Sequence, residues 1–353
     1  MRRMLSRNVS DPEIRDFLFC CIQEETQMIE QLDKDLYRIG VPLPGNPLKW
    51  VNSYYIHGDD RELLIDTGFN REECREVLFG ALKELGADRD RMDILLTHVH
   101  SDHSGMSAIT AGEKRKIFLS ERDISVLDDV VTERHRTVMG ARMVREGFDA
   151  DSIARIIRTN PARLFSLQEI DPRITAIHDG DILKAGEYEL KVIQTPGHSP
   201  GHTMFWCEKK GIMFTGDHIL FDISPNIAAS IDVEDALGDY LNSLRKVREY
   251  DVKLALPGHR HSGEYKARID KLLEHHRKRI AEAEKIVKES PGITAYDIAG
   301  KMTWKIRARD WESFPEIQKW YAVGECLSHM DYLRKRGRVK RIEDGAVQKY
   351  IPV

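Results

Sequence analysis

Four side chains able to hold a metal fall within six residues of one another in Thr97-His98-Val99-His100-Ser101-Asp102-His103-Ser104-Gly105, directly after the apolar run Asp93-Ile94-Leu95-Leu96. In an extended segment alternate residues share a side, so His98 and His100 point the same way and can hold one ion between them. Asp102 and His103 begin the helix that follows and face a second position. Neutral imidazoles with a carboxylate suit zinc, iron or manganese. A strand end is also where α/β folds place their sites, and that restricts the architectures open to this chain.

The flanking pattern agrees with an α/β rhythm. Short β-rich runs at Leu36–Val41, Val51–Ile56 and Glu62–Asp66 are bounded by Pro44, Gly45 and Gly58-Asp59-Asp60. Glu72–Leu85 carries Val77, Leu78, Ala81, Leu82 and Leu85 at helical spacing and stops at Gly86. Further strands are predicted at Ile174–Ile177, Leu190–Thr195, Met204–Cys207, Ile212–Phe214 and Leu254–Leu256, with a helix from about Val233 to Glu249. Asp11 to Leu32 reads as an N-terminal helical extension. Residues from about 121 to 170 read as an inserted helical segment with a break at Gly147 and a stop at Pro161. Its His135, Met139, Met143 and Phe148 would line a lid or pocket wall, or else a dimer interface.

The pattern divides the chain into 1–35, a unit at 36–263 that carries the metal-ligating cluster, and a remainder at 264–353. That remainder opens with a charge-rich helix, Glu264–Glu289. Helices at Thr294–Met302 and Pro315–Arg336 follow, then a hairpin of Arg338–Ile342 and Ala346–Ile351 around Asp344-Gly345. Helix, helix, hairpin is the order of a winged helix. Arg334-Lys335-Arg336-Gly337-Arg338-Val339-Lys340-Arg341 is either a phosphate-contacting surface or a helix end whose cations complement the dipole. Trp304, Trp311, Trp320 and Tyr321 would stack bases in the first case and fill core in the second.

A formal net charge of -4 excludes a globally basic, nucleic-acid-coating protein. No apolar run approaches the ~18 residues of a membrane span, and no signal peptide is read after Arg2 and Arg3. The five cysteines form no CxxC pair, so reduced thiols and a cytoplasmic location are expected.

Three later turns share one context, a strand followed by a Gly-containing turn. They are Thr195-Pro196-Gly197-His198, Thr215-Gly216-Asp217-His218 and Leu256-Pro257-Gly258-His259. With the first cluster, the ordered set His98-x-His100-x-Asp102-His103, His198, Asp217, His259 resembles the ligand set of the metallo-β-lactamase superfamily. Leu63-Leu64-Ile65-Asp66-Thr67-Gly68 resembles that superfamily's first motif, in which an Asp at a strand end braces the site. The resemblance implies an α/β fold, an αββα sandwich with two metals at one edge. His98, His100 and His198 would take one metal, Asp102, His103 and His259 the other, and Asp217 would bridge them. Two divalent metals are therefore expected, zinc first, with iron or manganese as alternatives.

In such a site a metal-bridging hydroxide attacks a carbonyl carbon or a phosphorus, with Asp102 as the catalytic proton handler. Antibiotic-hydrolysing members commonly carry Cys where Asp217 stands, and the flavodiiron branch has a carboxylate near the position of His100. The expected function is hydrolysis of a small ester, thioester or lactone. The alternative is an endoribonuclease acting on single-stranded RNA through the C-terminal unit. A third reading, a regulator with a structural metal, makes little use of so complete a ligand set. A small-molecule substrate, no membrane partner and a homo-oligomer complete the expectations. His202 and His218 stand near the ligands in sequence and are expected to support them without a catalytic role.

Overall fold

Along the central strands Leu63 and Ile65 face one way and Leu64 the other, and this period of two sorts the chain into layers. The computed structural model describes residues 28–159, 167, 169–305 and 308–353. One sheet runs in chain order through β1 (Ile29–Asp33), β2 (Leu36–Pro42), β3 (Trp50–Ile56), β4 (Glu62–Ile65), β5 (Met92–Leu95), β6 (Ile117–Ser120) and β7 (Ile174–Ile177). It is antiparallel from β1 to β4 and parallel from β4 to β7. The second sheet comprises β8 (Ile182–Ala185), β9 (Tyr188–Gln194), β10 (Thr203–Cys207), β11 (Ile212–Gly216) and β12 (Leu254–Pro257), in the order β12-β11-β10-β9-β8. Its β11–β12 pair is parallel, with Phe214 opposite Leu256.

The helices are α1 (Glu72–Glu84), α2 (Ser101–Ser104), α3 (Ser107–Thr110), α4 (Glu121–Val131), α5 (Arg134–Arg145), α6 (Ala150–Thr159), α7 (Ala236–Arg248), α8 (Tyr265–Glu289), α9 (Ala295–Lys301) and α10 (Glu316–Lys335). Between the sheets, Leu63, Ile65, Leu95 and Phe118 meet Leu190, Val192, Phe205 and Phe214. Outside the first sheet, Leu64, Ile94 and Leu96 pack under Cys74, Leu78, Ala81 and Leu82 of α1. Outside the second, Ile193, Met204, Met213 and Ala255 carry Leu237, Tyr240, Leu241 and Leu244 of α7. The result is helix, sheet, sheet, helix. Each buried aliphatic side chain contributes about 1.5–3 kcal/mol to holding the layers together.

Two expectations are corrected. The segment at 28–33 is not the end of a helix: Ile29–Asp33 is β1, paired antiparallel with β2. Asp35 takes a positive φ of 62° in the tight connection, and Leu32 packs against the inter-sheet core. The rest of the expected N-terminal helix lies outside the described residues. The insertion is helical as read, but it also breaks at Glu133, which has a φ of 61°. Gly147, with a φ of 96°, separates α5 from α6 as expected, while Pro161 lies outside the described residues. The strands β6 and β8 were not anticipated.

The C-terminal elements follow in the expected order, with β13 (Val339–Asp344) and β14 (Val347–Pro352) as the hairpin. They do not stand apart from the sandwich. Ile269, Leu272 and Ile280 of α8 and Leu327, Met330 and Leu333 of α10 continue the same buried cluster as α7. No described helix is long and apolar enough to cross a membrane.

Polar ties join the insertion to this unit. Arg142 pairs with Asp331 at 2.6 Å, and the Tyr350 hydroxyl donates to Glu146 Oε1 at 3.0 Å. Burial pushes the Glu146 carboxyl up to about 7. A folded-state pKa above the unfolded value means that stability is greatest below about pH 4.5 and falls as pH rises toward 7. Glu146→Gln keeps an acceptor for Tyr350 and removes that charge. Thermal unfolding should show the variant more stable than the parent at pH 8, by up to about 3 kcal/mol, and nearly equal at pH 4. Equal midpoints at both values would contradict this account.

Candidate metal centre

The ends of β4, β5, β9, β11 and β12 and the start of β10 converge on one edge of the sandwich. Asp66 directly follows β4, and its φ of 59° turns its carboxylate back toward the chain after β5. Asp66 Oδ1 accepts the Thr97 N–H and Oδ2 accepts the Thr97 hydroxyl, both at 2.8 Å. The same Oδ2 accepts His103 Nδ1–H at 2.8 Å. His98 and His100 follow β5, and α2 presents Asp102 and His103. The second sheet delivers His198 after β9, Asp217 after β11 and His259 after β12.

All seven expected donors meet here. Three overlapping groups, His98–His100–His198, His98–His103–Asp217 and Asp102–His103–His259, each bring their donor atoms within 4.8 Å of one another. His98, His103 and His259 are fully buried and Asp217 nearly so. His100 and Asp102 form the more accessible edge.

The hydrogen bonds assign which ring nitrogens carry lone pairs. His103 Nδ1 donates to Asp66, His259 Nδ1 to Trp50 O at 2.8 Å and His198 Nδ1 to Asn226 O at 2.9 Å. The Nε2 atoms of all three are left as acceptors. Yet His103 Nε2 and His259 Nε2 face each other at 3.3 Å, and Asp217 carboxylate oxygens lie 3.4–3.6 Å from the Nε2 atoms of His103, His198 and His259. Acceptors facing acceptors repel unless a cation lies between them. Donors around a tetrahedral zinc, each about 2.0–2.1 Å from the ion, sit about 3.3 Å apart. The donor set fits a metal.

Electrostatics point the same way. Burial alone would discharge His259, but Asp217 and Asp102 outweigh it and hold its pKa up at about 9. His103 is likewise raised, by Asp217, Asp66 and Asp102 against its burial. The metal-free pocket therefore draws protons to supply the positive charge it lacks. Metal must displace them, so adding zinc to the metal-free protein at pH 7.5 in weak buffer should acidify the solution, and less so above about pH 9. Elemental analysis after loading should find two ions per chain. A stoichiometry that stays at one, with no proton release, would sink the two-ion assignment.

Close packing explains the turn glycines. A Cβ at Gly258 would sit 2.4 Å from Asp217 Oδ1 and 2.8 Å from His103 Cε1, inside the cradle of donors. Gly216 has a φ of 48°, and a Cβ there would meet His202 Nε2 at 2.7 Å. His202 is buried and its Nε2 accepts the Asp217 N–H at 3.2 Å, while its Nδ1 faces Thr195 Oγ1 at 2.9 Å. It holds the backbone of a donor. Among the described residues His218 makes no such bond: its ring lies between those of His202 and Tyr240, at 5.5 and 4.7 Å between centroids.

Two supports were not legible in the sequence. Asp123, in the first turn of α4, accepts Val99 N–H, the Ser199 hydroxyl and Gly201 N–H at 3.0, 2.7 and 2.6 Å. One carboxylate thus ties the His98–His103 segment to the His198 turn. Burial raises its pKa to about 6 even with those donors. The other support comes from the C-terminal unit. Gly324 O on α10 accepts Ala229 N–H at 2.9 Å, and the Ser328 hydroxyl donates to Ile227 O. These bonds pin the loop whose Asn226 carbonyl orients His198.

Known proteins agree with this geometry. A sequence profile of the Metallo-beta-lactamase superfamily matches residues 50–108 and 138–259. The chain is 25% identical over 325 residues to the probable metallo-hydrolase YqjP of Bacillus subtilis, covering 88% of this chain and 96% of that protein. It is 27% identical over 219 residues to the human acyl-coenzyme A thioesterase MBLAC2, covering 59% and 72%. It spans 56% of the length of the Aspergillus niger relatives that it matches. Among solved structures, a metallo-beta-lactamase family protein of Thermus thermophilus superposes with a TM-score of 0.77 at 27% identity, over 92% of this chain and all of that one. The chain belongs to the metallo-β-lactamase superfamily.

Proposed function

We propose that this hydrolase holds two divalent metal ions, zinc first among the candidates, and cleaves the acyl bond of a small thioester, with small esters and lactones as neighbouring substrates. One observation carries the reading: seven donors converge in three overlapping groups, with Asp217 oxygens 3.4–3.6 Å from His103, His198 and His259 and an accessible edge made by His100 and Asp102. His98, His100 and His198 would hold one ion, Asp102, His103 and His259 the other, and Asp217 both. The thioesterase among the relatives supports the substrate class.

When bound, such a pair of ions lowers the pKa of a water toward neutrality and polarises the substrate carbonyl. The chain's own residues do the rest. Burial raises the Asp102 pKa, but His103 and His259 outweigh it and hold it at about 2, so it enters the reaction as a carboxylate. It takes the proton of the attacking water and passes it to the departing sulfur. Asp66 fixes the His103 tautomer and so keeps Nε2 turned to the site.

The basic run offers the phosphodiester alternative little support. Arg334 lies 3.8 Å from Asp331, Lys335 3.2 Å from Glu234 and Arg336 2.7 Å from Asp235, while Arg338 pairs with Glu284. Trp304 packs against Arg279, and Trp311 against Tyr296. We read the C-terminal unit as winged-helix-like in element order and as a brace for the active-site loop. The buried thiols Cys74, Cys207 and Cys326 fit a reducing cytoplasm.

The test is a panel of acyl-coenzyme A thioesters, nitrophenyl esters, lactones and RNA oligonucleotides on the zinc-loaded protein, with and without chelator. Chelator-sensitive thioester hydrolysis is expected. Chelator-sensitive RNA cleavage with no thioester turnover would overturn the proposal.

A further inference from the structure

Resting on the thioesterase reading, we infer that the C-terminal unit completes the substrate site with Tyr321 of α10, a catalytic residue whose hydroxyl donates to the carbonyl oxygen of the bound acyl group. Trp304, Trp311 and Trp320 of the same unit pack against the core cluster. Tyr321 does not follow them: it is 39% exposed. A side chain of that size left open forgoes a large burial term, and its position gives it another use.

Helical spacing fixes that position. Tyr321, Gly324 and Ser328 are three and four residues apart and share one face of α10. Gly324 O accepts the Ala229 N–H, and the Ser328 hydroxyl donates to Ile227 O. A Cβ added at Gly324 would come 3.3 Å from the Ala228 Cβ, so the helix lies directly against this loop. On their other side Ala228 and Ala229 line a cleft together with His100 and His198. Tyr321, one turn from Gly324, therefore stands at the rim of the metal centre.

Its hydroxyl is near enough to Asp102 for that carboxylate to act on it, yet among the described residues it makes no hydrogen bond. Burial first, and Asp102 second, push its pKa above the ordinary tyrosine range, so it keeps its proton near neutral pH. It is a free donor beside the accessible edge. Asp102 takes the proton of the attacking water in the reaction proposed above, so the carbon under attack lies beside it. The oxygen on that carbon is the acceptor that every thioester, ester and lactone brings there. Negative charge grows on it as water adds, and a donor already in place holds it more strongly in the transition state than in the substrate.

The experiment measures hydrolysis of butyryl-coenzyme A and nitrophenyl butyrate, which share an acyl group and differ in leaving group, by the zinc-loaded enzyme. Tyr321→Phe removes the hydroxyl and keeps the ring. kcat should fall roughly 100-fold on both substrates, the scale for one oxyanion donor, while KM stays within about twofold. Metal content and melting temperature should not move. Tyr321→Leu should lose the same factor in kcat, because Phe has already removed the group that matters. An unchanged kcat in Tyr321→Phe, a change in KM alone, or a loss traced to missing metal would overturn the assignment while the thioesterase reading stood.

Calorimetry makes the opposite separation. A trifluoromethyl ketone analogue of butyryl-coenzyme A hydrates to the tetrahedral shape of the attacked carbonyl, whereas butyl-coenzyme A, a thioether, has no carbonyl. Tyr321→Phe should weaken binding of the first by the same roughly 100-fold and leave the second unchanged. With no acyl substrate turned over, that pattern would remove the activity and keep the contact. Equal weakening of both analogues, or of neither, would overturn the contact.

Discussion

Asp217→Ala should lower kcat by roughly three orders of magnitude or more, the scale seen when one member of a catalytic unit is removed, while the protein stays folded. Asp217 is nearly buried, and its oxygens lie between the imidazoles of His103, His198 and His259. If the site holds the two ions proposed, removing it would leave them without the carboxylate between them, so bound metal should also fall below two per chain. His202→Ala should cost less, about 10–100-fold, because His202 holds only the backbone N–H of Asp217. Circular dichroism, metal content and kinetics on both variants make the comparison. Equal losses in turnover and metal content would show that the donor has been misidentified.

Removal of everything after Gly263 should abolish cooperative folding altogether. Such a deletion exposes the face of α7 that carries Leu237, Leu241 and Leu244, now packed in one cluster with α8 and α10. A handful of such side chains at about 1.5–3 kcal/mol each matches the whole stability of a typical domain, about 5–15 kcal/mol. A gentler version neutralises Arg334, Lys335, Arg336 and Arg338 together. Asp235 and Glu284 are buried carboxylates that would lose Arg336 and Arg338 and keep only the Gly238 N–H and Lys288 respectively, so the melting temperature should fall. A truncated protein that purifies folded and turns over normally would show that the sandwich is self-sufficient.

The donors were legible because each sits directly after an apolar strand or in the first turn behind one, where local order in the chain and position in space coincide. His98, Asp217 and His259 needed no knowledge of distant contacts to be found. Asp123 did. In sequence it is one acid among several at the start of a helix, and only the fold brings Val99, Ser199 and Gly201 to it. β1 was missed for a related reason: the alternation of Ile29 to Asp33 is too short to outweigh a helical reading until β2 supplies its partner. The basic run could be read two ways because three of its acids, Glu234, Asp235 and Glu284, lie far away in sequence.

The origin of the donors on two sheets limits when an ion can enter. The first sheet contributes Asp66 and His98 to His103, and the second contributes His198, Asp217 and His259. A chain still being synthesised or only partly collapsed can offer only the local donors His98, His100, Asp102 and His103. The full set exists only after contacts of long sequence separation have formed, which are the slow ones in folding. The complete set can therefore close around an ion only in a scaffold whose two sheets are already docked, unlike a zinc finger, whose donors lie close together in the chain.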